Sequence, residues 1–241
     1  MKTKTEMKVL TLICALLLFF SVPTYANSSE LIGGIFYTSL ELPSLNEAID
    51  NYNDEIEEIE QEGVSATEMD EIDDAIGYFG GTKLDLNDGI SLSGTFETFS
   101  ESTATEIDYS ENNDTIEVGL EIGLSVSGLV ATLNSELNEY ISLVGGGGYY
   151  FGEVSMSGSA TSTGDYSDYF VLEETSVSTE LNGFGFKAGG YFSYPVNYQL
   201  AINAAVHYRF LELETGANSL TNATALDANG IELRFGVAFG V

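Results

Sequence analysis

Ile231-Glu232-Leu233-Arg234-Phe235-Gly236-Val237-Ala238-Phe239-Gly240-Val241 closes the chain on a strict alternation. Every odd position is bulky and apolar. Every even position is charged, Gly or Ala. A period of two puts the two sets on opposite faces of a β-strand. A soluble sandwich turns its apolar face inward and covers the other with Lys, Glu and Thr. Here the second face is small and sparsely charged, which suits the narrow interior of a closed sheet whose bulky face meets lipid.

The same pattern recurs along the chain. Leu200, Ile202, Ala204, Val206, Tyr208 and Phe210 alternate with Ala201, Asn203, Ala205, His207 and Arg209. Phe184, Phe186, Ala188, Phe192 and Tyr194 alternate with Gly183, Gly185, Lys187, Gly189 and Tyr191. From Ile116 to Val126 the even positions are apolar and the odd ones are Glu, Gly or Ser. The periodicity predicts eight strands over 31–41, 75–86, 90–109, 115–133, 140–158, 176–194, 198–213 and 230–241. The connections 87–89, 134–139 and 195–197 are short, while those at the other end, 42–74, 110–114, 159–175 and 214–229, are mostly longer; 110–114 is the short exception, expected where strands project beyond the outer surface. Tyr140, Phe192, Tyr194, Tyr198 and Phe239 fall towards the short-turn end. Tyr78, Tyr149, Phe151, Tyr208 and Phe210 fall towards the other. Two aromatic girdles are what the two interfaces of a bilayer select.

The first 26 residues read as a cleaved secretory signal. Lys2, Lys4 and Lys8 precede an apolar run from Val9 to Phe20, and Thr24-Tyr25-Ala26 is a small-x-small site. That run is too short to cross a bilayer as a helix. Cys14 is the only cysteine and lies inside it, so the exported portion, 27–241, has no thiol chemistry or disulfide. Removing 1–26 takes away three of the seven cations and one of the 38 acids, leaving 4 against 37, a net charge of −33. Nucleic-acid binding needs a basic footprint and is excluded.

With its signal peptide, alternating strands, loop asymmetry and C-terminal strand, the chain resembles the small eight-stranded bacterial outer-membrane barrels, the OmpA-transmembrane-domain and OmpX-like group. The resemblance covers most of 31–241. It implies an all-β antiparallel transmembrane barrel in the outer membrane, with outer-membrane lipid as its first partner. The last strand departs from the group in ending on Val241 rather than an aromatic residue, with Phe239 two positions earlier. The group spans adhesion, envelope stability, small pores and a few lipid-modifying enzymes, so the fold does not choose among them.

The connection 42–74 is the part that a barrel does not require. Ser44 with Glu47 forms a capping box, and Leu45, Ile49, Tyr52, Ile56 and Ile59 share a helical face that Gly63 would end. Ser65 with Glu68 forms a second box, with Met69, Ile72 and Ile76 on one face. The reading is an acidic helical hairpin inserted between strands one and two. Residues 44–74 carry 13 acids and no cation. Such acidic runs are usually solvated faces, so a wet cap is expected rather than a plug.

Charge placement defines the candidate site. Lys83, Lys187, Arg209 and Arg234 each fall opposite the apolar face, and Glu97, Glu117, Glu121 and Glu232 are assigned to the same side. A charge facing lipid costs about 2–4 kcal/mol near the midplane, so all eight, with His207, are expected in the lumen as an ion-pair network. His207 is the only histidine. A hydrolase like the lipid A deacylase barrels would carry a Ser near it, but His207 is followed by Tyr208-Arg209-Phe210, so the carry-over fails. Multi-histidine metal sites are excluded by count. Glu111-Asn112-Asn113-Asp114 and Asp165 with Asp168 could hold divalent cations but lack a calcium-loop spacing. Gly145 to Gly148 precedes no helix and is no phosphate loop. No cofactor is expected. The functional expectation is a non-enzymatic barrel serving the envelope or an unidentified surface ligand. The alternatives are a small gated channel and, behind it, a surface lipid-modifying hydrolase.

The refolded protein should need detergent and should change gel mobility on boiling, because a closed barrel resists unfolding. A protein that stays monomeric in plain buffer, with no such shift, would exclude the membrane reading.

Overall fold

The computed structural model describes residues 28–60, 64–87, 89–111, 114–163, 175–215 and 224–240. Among these residues the elements are β1 (Ser28–Ser39), α1 (Pro43–Glu60), β2 (Ser65–Ala66), β3 (Asp74–Asn87), β4 (Ile90–Glu111), β5 (Asp114–Glu136), β6 (Ile141–Thr163), β7 (Thr175–Pro195), β8 (Leu200–Thr215), β9 (Ala225–Asp227) and β10 (Gly230–Gly240). Eight long strands pair antiparallel in the order β1-β3-β4-β5-β6-β7-β8-β10. β10 returns to β1, with Ile35 opposite Phe235, and the ring closes. The short β2 pairs with β4, and β9 with β8.

Turn chemistry sets the short end. Gly89 has φ +82°, a conformation that only a residue without Cβ adopts at no cost. Asn138 Oδ1 accepts from the amides of Tyr140 and Ile141, and Asn197 Oδ1 accepts from those of Gln199 and Leu200. Both are Asx turns, in which a side chain replaces a backbone acceptor. Ser28 and Gly240 lie at this end, which in outer-membrane barrels is the periplasmic one.

The strands are unequal. β4 to β7 have 21–23 residues, while β1 has 12 and β10 has 11. Crossing the bilayer takes about 9–11 residues. The surplus is a wall standing above the membrane on one side of the ring. Phe96, Leu129, Tyr149 and Phe184 share a cross-strand row on the outer surface and mark its lower limit. Tyr140, Phe192 and Tyr194 cluster at the opposite end, with ring centroids 6.1–6.4 Å apart. From Ile141 to Tyr149 along β6 is about 26 Å of tilted strand, enough for the apolar band.

Within that band the alternation points as expected. Leu31, Ile35, Phe186, Ile202, Val206, Phe235 and Val237 are exposed outward. Above the row the apolar residues change sides. Ile122, Leu124, Val126, Val154, Leu181, Leu211 and Leu213 are buried inward. Their outward neighbours Glu117, Glu121, Glu153, Glu180, Glu212 and Glu214 are exposed. This corrects the assignment of 116–126: its apolar face is interior, and Glu117 and Glu121 are not lumen residues. The cause is the solvent. Lipid makes the outer face apolar in the membrane; water makes it polar above, and the inside then becomes an ordinary apolar core.

The insertion fills that core. α1 opens with Pro43, whose fixed φ suits a first helical position, and the Leu42 carbonyl accepts from Leu45 and Asn46. Leu42, Leu45, Ile49, Ile56, Met69 and Ile72 are all buried, Ile49 completely at 0% exposure. All but Ile56 pack against Phe99, Ile122, Leu124 and Leu213 in one cluster. The wet-cap expectation is therefore overturned. The second helix is also absent: Ser65–Ala66 is a strand on β4, and Thr67 to Asp73 is irregular. Two asparagines, seven residues apart on α1, explain why this segment stays extended. Asn46 and Asn53 each bond both backbone groups of a returning residue, Ile72 and Met69 respectively, at 2.9–3.3 Å. The Ile59 side chain and Gly63 lie outside the described residues. So do the side chains of the Glu111–Asp114 group, and Asp165 and Asp168.

The change of face is testable with paired substitutions. Glu121→Arg should cost under about 0.5 kcal/mol and Leu124→Asp several times more, whereas Phe235→Arg should cost about 2–4 kcal/mol. The readout is the denaturant midpoint in lipid vesicles. Equal tolerance of Arg at 121 and Asp at 124 would refute the inversion.

Candidate functional site

Four strands bring the lumen charges together at the level of the upper membrane band. β4 supplies Glu97, β7 Lys187, β8 His207 and Arg209, and β10 Glu232 and Arg234. Register makes this possible: Glu232 stands opposite His207, and Lys187 opposite Arg209. Each lies on the inward face fixed by the alternation described above. Glu97 and Glu232 are 1% and 0% exposed.

Glu97 takes both its oxygens to Lys187 Nζ, at 2.6 and 2.8 Å, and Oε1 also meets an Arg234 NH2 group at 2.6 Å and Thr95 Oγ1 at 3.0 Å. Glu232 Oε1 accepts from Arg234 Nε and Lys187, and lies 3.1 Å from His207 Nδ1. Arg209 sits 3.6 Å from Glu232 Oε2 and donates to Thr38 Oγ1 at 3.0 Å. Aromatic faces cover the guanidinium groups. Arg209 stacks 4.6 Å above Phe99, and Arg234 lies 4.7 Å from Phe79 and 5.2 Å from Phe36. Cation–π contact is strongest where water is excluded, as here. Tyr150 also crosses the lumen; a Cβ on Gly128 or Gly185 would come within 2.8 Å of its ring, so both must stay bare.

Lys83 stands apart. It pairs with Glu30 at 3.3 Å and Asp85 at 3.7 Å near the periplasmic end, where all three are partly open to solvent. Of the nine assigned residues, six form the central cluster, Lys83 forms a separate pair, and Glu117 and Glu121 face outward. Glu30, Thr38, Thr95 and the stacked Phe36, Phe79 and Phe99 were missed. Phe36, Phe79 and Phe99 were recoverable, because each sits on the inward phase of its strand yet is bulky. Among the described residues no His, Cys, Asp and Glu group is arranged to hold a metal ion.

A closed antiparallel ring with a lipid-type belt, girdled by aromatics and with charges kept inside, defines a transmembrane β-barrel of the bacterial outer membrane. The chain belongs to the outer membrane protein beta-barrel domain family, whose model matches residues 12–239. No curated protein matches it. Solved structures resemble it at low identity. Ail of Yersinia pestis, in complex with the heparin analogue sucrose octasulfate, is 14% identical with a TM-score of 0.43, over 89% of this chain and 99% of that one. OprG of Pseudomonas aeruginosa is 14% identical with a TM-score of 0.37, over 90% and 97%. The outer membrane protease OmpT of Escherichia coli is 9% identical with a TM-score of 0.36, over 90% and 97%.

Removing one member of the cluster strands its partners. Glu232→Leu should cost about 3–5 kcal/mol, since Arg209 and Arg234 lose a buried counter-charge. Lys83→Met should cost about 1 kcal/mol or less. The double change Glu97→Met with Lys187→Met should cost less than either alone. Urea midpoints in detergent micelles measure all five; a Glu232→Leu loss no larger than that of Lys83→Met would show that the cluster adds nothing.

Proposed function

We propose that the exported protein, residues 27–241, is a non-enzymatic and non-conducting barrel that carries its acidic insertion to the outer surface of the envelope. The observation that carries this reading is that the lumen is closed twice in series. The ion-pair cluster fills it in the membrane, and α1 with its returning segment fills the apolar cup above. An eight-stranded ring leaves room for side chains but little for a water path.

The site chemistry argues the same way. A serine-type nucleophile needs its hydroxyl on the imidazole nitrogen opposite the carboxylate. His207 meets Glu232 through Nδ1, and its Nε2 has no hydrogen-bond partner. The exterior suits cation-bearing partners rather than polyanions, because the four Lys and Arg of 27–241 all lie on lumen-facing positions, at 83, 187, 209 and 234.

Planar-bilayer recording of the refolded protein should give no steps above baseline. Deleting residues 44–73 and joining the strands with a short Gly/Ser linker should leave a heat-modifiable barrel that is still silent, because the lower seal remains. Cell or surface binding, where the intact protein has it, should fall in the same variant. Regular openings of the intact protein would overturn the reading in favour of a gated channel.

A further inference from the structure

The ion-pair cluster leaves both a charge and a cavity unaccounted for. Lys187, Arg209 and Arg234 bring three cations against two carboxylates, Glu97 and Glu232. Lys83 does not redress that balance locally. It has its own carboxylates, and it pairs across to Ser93, four residues and about 13 Å of strand below Glu97. An excess positive charge held away from bulk water is costly unless something neutralises it.

Directly on the periplasmic side of the cluster lies a cavity of about 50 Å³, lined among others by Lys187, Arg234, His207, Asn203, Tyr191 and Thr95. No Asp or Glu is among its lining residues. Two of its walls end in unused polar atoms. His207 and Asn203 are each 5% exposed, and neither His207 Nε2 nor Asn203 Oδ1 has a hydrogen-bond partner. Buried polar groups of this kind are normally satisfied by protein, water or an ion. A single water needs about 10–15 Å³ of such space, so the cavity is larger than one water and too small for an organic metabolite.

We propose that the cavity binds one halide-sized monovalent anion. Lys187 and Arg234 supply the attraction. His207, as the imidazolium, donates through Nδ1 to Glu232 and through Nε2 to the anion. Asn203 turns its carboxamide by a flip to present NH2 instead of oxygen, and the Tyr191 hydroxyl adds a neutral donor. With His207 as the imidazolium the cluster holds four cations against Glu97 and Glu232, and the bound anion lowers that excess from two charges to one. A carboxylate placed in the cavity would do the same and leave no call for the ion.

His207 is the only histidine, so ¹⁵N-histidine labelling of the untagged, refolded protein reports on one imidazole. Sodium bromide is titrated against sodium gluconate at constant ionic strength. The expected result is a saturable shift of the His207 Nε2 resonance with bromide, lost in Asn203→Asp. A bromide anomalous-scattering peak in the cavity of the unmodified protein gives a second test that does not depend on the variant folding. An Nε2 resonance identical in bromide and gluconate, with no anomalous peak, overturns the proposal and leaves water as the occupant. A full bromide response retained in Asn203→Asp overturns it too, by placing the ion elsewhere.

Discussion

Glu232 meets three elements of the ring at once: it accepts from Lys187 of β7 and Arg234 of its own strand, and it faces His207 at 3.1 Å and Arg209 at 3.6 Å from β8. A carboxylate at that depth cannot be hydrated, so it must be satisfied by side chains whose placement depends on strand register. Slipping β10 by one residue against β8 would turn Glu232 and Arg234 outward to lipid. The charges thus penalise every register but one. The burial of ions is rarely a large source of stability, yet it discriminates sharply between alternatives. Closure, register and the position of the girdles all follow from that discrimination.

Above the lipid the constraint reverses, and the same strands continue through the reversal without a break. β8 runs from outward Val206, Tyr208 and Phe210 directly to inward Leu211 and Leu213. Its pleat does not change; the solvent does. A tall wall with an apolar inner face would be an aggregation surface if left bare. The insertion covers it, starting from the low side of the ring and reaching the high side through β2 on β4 and through the Tyr52 hydroxyl, 3.7 Å from Met156 Sδ. The acidic residues of α1 are then the outer coat of a buried helix.

Strand positions were legible because a period of two runs through most of the long strands, with Gly145 to Gly148 on β6 the exception, and because turn residues punctuate it. The inward direction was not legible from alternation alone, since a strand with two unlike faces does not say which is wet. The missing signal was present as apolar neighbours: Leu129-Val130, Tyr149-Tyr150-Phe151 and Phe210-Leu211 mark the height at which the oily phase crosses the strand. Read as noise, they left Glu117 and Glu121 on the wrong side. The second helix was misread for a different reason. Ser65 and Glu68 have the right spacing for a capping box, but Asn46 and Asn53 offer the same backbone groups a tertiary partner, which outcompetes a local one. The ion pairs were legible as a set because charge has nowhere else to go in lipid. Their partition into a central cluster and a separate Lys83 group needed the register.

The crossing of faces also divides the wall by how freely it can change. On β5, Glu117, Gly119, Glu121, Gly123 and Ser125 look outward; Glu117, Glu121 and Ser125 are exposed, and Glu117 accepts from Thr161 Oγ1 of β6 at 3.2 Å. Substituting the exposed Glu117, Glu121 or Ser125 perturbs stability by about 0.5 kcal/mol, whereas Ile122, Leu124 and Val126 between them are fixed by packing and a Cβ on Gly119 or Gly123 would press on Ser159 or Ser155. The exposed outward residues of the projection are therefore open to drift while their inward neighbours are held. A host or a phage that recognises this wall would face a surface able to change its chemical identity completely without altering the shape that presents it.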